Sequence, residues 1–86
     1  MAVTSGDHTV AASATVLTTS AATQSILLFA LAANSGTTYV GGSNVTTSIG
    51  VPLAPGAALS FDVADTAQLY LIGTASDHVR WVATAK

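Results

Sequence analysis

Eighty-six residues with a net charge of −2 include 39 Ala, Ser or Thr, only six charged residues and no cysteine. A chain this short forms one domain, and with two cations in all it cannot neutralise a run of phosphates or hold an anionic membrane surface, so charge-driven binding of nucleic acid or lipid is excluded. Disulfide staples, thiol chemistry and thiolate metal sites are excluded by the absence of cysteine, and a surface built from methyls and hydroxyls points instead to association with fixed neighbours.

Strong helix formers other than Ala and Leu are scarce, with no Glu, one Lys, one Arg and one Met, while Thr, Val, Ile, Tyr, Phe and Trp punctuate the whole length. Short β-rich runs separated by Gly, Asn, Ser and Pro predict an all-β domain, a single small jelly-roll-like β-sandwich of about eight short antiparallel strands. Residues 1–7 have no basic flank and no apolar run, so they do not read as a signal peptide; they read as an N-terminal arm ahead of a domain over 8–86. Strands are expected at 8–12 and 14–18.

The run Ile26 to Ala33 is the longest apolar stretch, at eight residues too short to span a bilayer. Both of its alternating faces are apolar, which predicts a central strand with one face on the core and the other against a neighbouring subunit or a second sheet. Asn34-Ser35-Gly36 reads as a turn, 37–40 as a strand, and Gly41-Gly42-Ser43-Asn44 as a break whose glycines are able to take the positive φ of a sharp bend. Residues 50–53 read as an edge strand, because Pro52 cannot donate to a ladder. Ala54-Pro55-Gly56-Ala57 carries Pro and Gly at the central positions of a type II β-turn. Beyond it, 58–63 alternates with Leu59, Phe61 and Val63 on one face, and 68–72 is a further apolar strand. Residues 73–77 are expected as a hairpin loop into a last strand over 78–83, with Val79, Trp81 and Ala83 facing one way.

Few residues carry chemistry. Asp7-His8 and Asp77-His78 would make a two-His, two-carboxylate metal site only if the first and last strands met. Adjacent strand residues point to opposite faces, so the pairs read as solvated strand ends with no metal or other cofactor. No Gly-x-Ser-x-Gly elbow and no Gly-Lys-Ser/Thr phosphate loop is present, and the chain does not read as an enzyme. Phe29, Phe61 and Tyr70 read as core. Trp81 beside Arg80 reads equally as an interface anchor or as the largest core residue. Together with Ala2, Val3 and Thr4 of the arm, which suit strand addition along a neighbour, Arg80 and Trp81 form the candidate partner interface.

The segment Tyr39-Val40-Gly41-Gly42-Ser43-Asn44-Val45-Thr46-Thr47-Ser48, followed by Leu53-Ala54-Pro55-Gly56 and Leu69-Tyr70-Leu71-Ile72, resembles a group of small tailed-bacteriophage proteins. More loosely, the likeness runs from about Thr15 to Val82. It implies a β-sandwich protein of the virion, here a capsid decoration protein on the exterior of the head. Its implied partners are the major capsid protein and its own copies, with a trimer favoured. Members of that group often carry basic residues on the strand corresponding to 24–33. This chain has Leu, Phe and Ala there, which makes the surface more self-associating. The alternative is a receptor- or carbohydrate-binding module of a tail tip or fibre, for which Tyr39, Tyr70 and Trp81 would supply the aromatics.

Overall fold

Two-residue alternation of burial organises the computed structural model, which describes residues 3–18 and 23–84 and, at Phe61, the backbone alone. Eight strands are found: β1 (Val3–Thr9), β2 (Thr15–Val16), β3 (Ser25–Ala30), β4 (Thr38–Gly41), β5 (Val51–Leu53), β6 (Ala58–Asp62), β7 (Tyr70–Ile72) and β8 (His78–Thr84). They form two four-stranded sheets, ordered β1-β8-β3-β6 and β2-β7-β4-β5, with every pairing antiparallel. The pairs β1–β8, β2–β7, β3–β6 and β4–β5 nest inside one another like a long hairpin rolled up on itself. That order is a jelly roll.

The core lies between the sheets. Ile26, Leu28 and Ala30 of β3 and Val79 and Ala83 of β8 meet Val40, Leu53 and Leu71 of the other sheet, closed at the ends by Val10, Leu17 and Leu69. The run at 26–33 is therefore a central strand, as its apolar character requires, and it ends at Ala30. The turn at 54–57 takes the expected form: Ala57 N–H donates to the Ala54 carbonyl at 2.9 Å, and Gly56 has φ of +83°. Pro52 sits on β5, an edge strand, where its missing N–H costs no ladder bond.

Two expectations are corrected. The segment read as an arm is, from Val3 onward, the first five of the seven residues of β1, which pairs with β8 from Val3↔Thr84 to Thr9↔His78. Residues 73–77 do not close a hairpin, because β7 and β8 belong to different sheets and the loop carries the chain across the sandwich. The break after β4 makes no use of the positive φ open to Gly41 and Gly42; among the described residues Gly56 is the one glycine that takes it. What Gly41 supplies is room. A methyl on Gly41 would meet Val45 Cγ2 at 3.0 Å, and one on Gly50 would meet it at 2.8 Å. Val45, 4 % exposed, thus plugs the loop after β4 down onto that sheet, apart from the main core.

Polar side chains fasten the ends. Asp77 accepts from Ser35 N–H (2.9 Å), the Ser35 hydroxyl (3.1 Å) and Gly36 N–H (3.0 Å). These bonds, led by the Ser35 N–H, hold its carboxyl below the usual carboxylate range. Beside them the Asn34 amide exchanges two hydrogen bonds with the His78 backbone, at 2.8 and 2.9 Å, copying a strand where the chain has turned away.

Candidate interaction surface

Register fixes what the outer face of the β1 sheet presents. β8 contributes Thr84, Val82, Arg80 and His78; β3 contributes Ser25, Leu27 and Phe29; β1 contributes Val3, Ser5, Asp7 and Thr9; β6 contributes Asp62, Ser60 and Ala58. The centre is apolar: Leu27 is 41 % exposed and Phe29 40 % exposed, with Val82 half-buried beside them. A shallow depression of about 180 Å³ is lined by Leu27, Phe29, Arg80, Trp81 and Val82. Large apolar side chains gathered on one open sheet face make it the candidate interaction surface.

The charged flank of this face comes from both ends of the chain. Asp7 accepts from His78 Nδ1 at 3.0 Å and lies 3.6 Å from Arg80 Nε. All three side chains are solvated, so the cluster orients charge and adds little stability. The first and last strands do meet, yet the two Asp-His pairs do not converge. Asp7 pairs with His78 outside, Asp77 is bound by the turn at 35–36, and His8 points to the interior. There His8 Nδ1–H donates to the Leu17 carbonyl at 3.1 Å, and the Thr15 hydroxyl lies 3.0 Å from Nε2. Burial, partly offset by the Leu17 carbonyl and by Asp7, lowers the imidazole pKa from its ordinary value. His8 thereby pins β1 to β2 across the sandwich. Among the described residues no three His, Cys, Asp or Glu side chains gather in a metal-binding group.

The residues named from sequence scatter. Val3 is 66 % exposed at the start of β1, Thr4 is exposed beside it, and Ala2 lies outside the described residues. Arg80 stands on the outer face. Trp81 is partly buried and packs on the core opposite Gly6, where a methyl would sit 2.6 Å from its Cζ2. The indole therefore lies against bare backbone. Phe29, expected in the core, is exposed because its register position alternates with Leu28 and Ala30. Tyr70 is half-buried, and the Phe61 side chain lies outside the described part. Leu27 was not singled out as a site residue, although the doubly apolar alternation of 26–33 was the signal for it; Val82 joins it from β8. A cleft of about 470 Å³ is lined by Val40, Val51, Leu59, Val63 and Leu69, with Gln68 its one polar side chain among the described residues. Such a lining lacks the convergent polar groups of a substrate site.

No protein-family model matches the chain, and no curated protein sequence matches it. Among solved structures, a chain of the Bacillus endospore appendages, which form a novel family of disulfide-linked pili, is similar over 99 % of this chain and 87 % of its own length. The identity is 18 % and the TM-score 0.47, a likeness too distant to bear on function.

Proposed function

We propose that this chain is a structural assembly protein, and specifically a capsid decoration protein of a tailed bacteriophage that seats on the outside of the head and stiffens it. The observation that carries the assembly reading is the outer face of the β1 sheet, where Leu27 and Phe29 stand exposed between flanking charges in a chain with almost no others. The virion assignment draws on the likeness at 39–48, 53–56 and 69–72. Decoration would work mechanically: each copy buries apolar area against neighbouring capsomers at roughly 25 cal/mol per Å². Small Ala, Ser and Thr side chains lose little rotamer entropy on docking, and repetition over the shell multiplies a modest contact.

Co-sedimentation of the purified chain with assembled heads, and separately with free capsid subunits, tests the reading. Binding to heads but not to free subunits is expected, with Phe29→Asp abolishing it while leaving the melting temperature within a few degrees. No affinity for heads would overturn the decoration assignment. Glycan-array binding or loss of host adsorption on Trp81→Ala, with heads unaffected, would favour the tail-tip or fibre module instead.

A further inference from the structure

The two sheets differ in how their edges end. The β2 sheet is bounded by a two-residue strand, β2, and by β5, which carries Pro52; both are ordinary ways of blunting an edge. The β1 sheet is bounded on one side by β1, seven residues long with no proline and no lysine. Among the described residues, β8 is the one strand paired with it.

Which backbone groups of β1 turn away from β8 follows from the flanking bonds. Val10 N–H, one step past the strand, donates to the Asp77 carbonyl at 2.7 Å. Alternation then turns the main-chain groups of Thr4, Gly6 and His8 toward β8 and those of Val3, Ser5, Asp7 and Thr9 away from it. The far side of β8 agrees, since the His78 carbonyl accepts from Leu31 N–H of the β3 side.

We propose that β1 is a homodimerisation edge, pairing antiparallel with β1 of a second copy about a two-fold axis through Gly6. Only the register with Gly6 opposite Gly6 of the partner copy pairs every outward group, matching Val3 with Thr9 and Ser5 with Asp7 in both directions. Each match exchanges both of its N–H···O bonds. Charge selects the same register. A shift by one matched residue toward the C-terminus sets Asp7 opposite Asp7 and leaves a pair unmade; the opposite shift sets Asp7 against Val3 and strands Thr9. In the full register Asp7 faces Ser5, a hydroxyl donor, while Arg80 of its own chain offsets its charge and His78 hydrogen-bonds it.

The other edge of this sheet, β6, is the weaker candidate. It is two residues shorter, and its outward Asp62 has Ser25 as hydrogen-bond partner and no cation among the described residues. Gly6 suits the axis, since facing residues there approach to about 4.5 Å and Trp81 already occupies the space a side chain would need. The result is one continuous sheet of doubled width, with His8 holding each edge strand to its own sandwich. This pairing is a two-fold, not the trimer expected from sequence, and it stands whether or not the chain decorates a head.

Sedimentation of the full chain across a dilution series, combined with amide hydrogen exchange by NMR, tests it. A concentration-dependent dimer is expected, in which the Ser5 and Asp7 amides exchange at least about tenfold more slowly than in dilute monomer. Thr4, Gly6 and His8 amides stay protected throughout. Ser5→Pro removes an N–H that β8 does not use, and is expected to leave a monomer; Phe29→Asp is expected to leave the dimer intact. A chain monomeric at all concentrations overturns the proposal. So does a dimer whose Ser5 and Asp7 amides exchange as in the monomer, or one that Ser5→Pro leaves unchanged. Should Ser5→Pro fail to fold, exchange in the unsubstituted chain still decides.

Discussion

His8 lies between the sheets with both ring nitrogens engaged, and its burial makes stability depend on pH. Desolvation, partly offset by the Leu17 carbonyl and by Asp7, holds its pKa below the ordinary 6.5. As pH falls through 6.5 the unfolded chain takes up a proton that the folded chain refuses, so stability is complete above that value and declines until the folded imidazole itself titrates. Asp77 behaves likewise at lower pH. Its carboxyl is held below 3.8 by the Ser35 and Gly36 N–H groups and the Ser35 hydroxyl, so its contribution is complete above 3.8 and lost as pH falls through the folded value. Urea unfolding midpoints are therefore expected to be flat above about pH 7, to decline below 6.5 and to decline again below 3.8. His8→Gln should remove the first decline and keep the second, whereas a midpoint unchanged from pH 7 to 5 would count against the neutral, buried imidazole. Gly6 shows how far a residue's role can sit from its neighbours in sequence: Trp81 of β8 dictates that it be glycine.

At the scale of the element, β3 separates stability from association. Leu28 is fully buried and Leu27 is 41 % exposed, one step apart on the same strand. Leu28→Ala is expected to cost about 2–5 kcal/mol, the range for a leucine truncated in a core. Leu27→Ala is expected to stay within about 0.5 kcal/mol while weakening whatever docks on the outer face. Urea denaturation with an unchanged m-value distinguishes the two; equal losses would mean that the β3 alternation is misassigned. This alternation was legible in the residues, because a strand's side-chain period is local geometry. Phe29 was misread on hydrophobicity alone, since an aromatic ring is indifferent to whether its face is covered by its own domain or by another molecule.

The whole molecule is assembled from distant parts. Of the strand pairs, β4–β5 alone joins neighbours in sequence, and β1–β8 joins the two ends of the chain. Closing such loops costs entropy before any contact forms. Refolding on the order of milliseconds to seconds is expected by stopped-flow Trp81 fluorescence, and a microsecond phase carrying the full amplitude would contradict the topology. This non-locality also explains why residues 73–77 read as a hairpin: turn chemistry reports that the chain reverses, not which sheet it enters next.

The sequence by itself determined the all-β class, the Pro55-Gly56 turn, the edge position of Pro52 and the central place of 26–30, all consequences of local dihedral preference and a two-residue period. Tertiary structure alone decided that residues 3–9 form a strand with an edge unpaired among the described residues, that Asp7 meets His78 and Arg80, and that Trp81 packs on Gly6. Those outcomes depend on which strands pair and which sheet face is left uncovered. Three of the six charges that the composition shows thereby acquire a location: Asp7, Asp62 and Arg80 flank an open face and an open edge of the same sheet, where nothing within the described chain completes the burial or the hydrogen bonding.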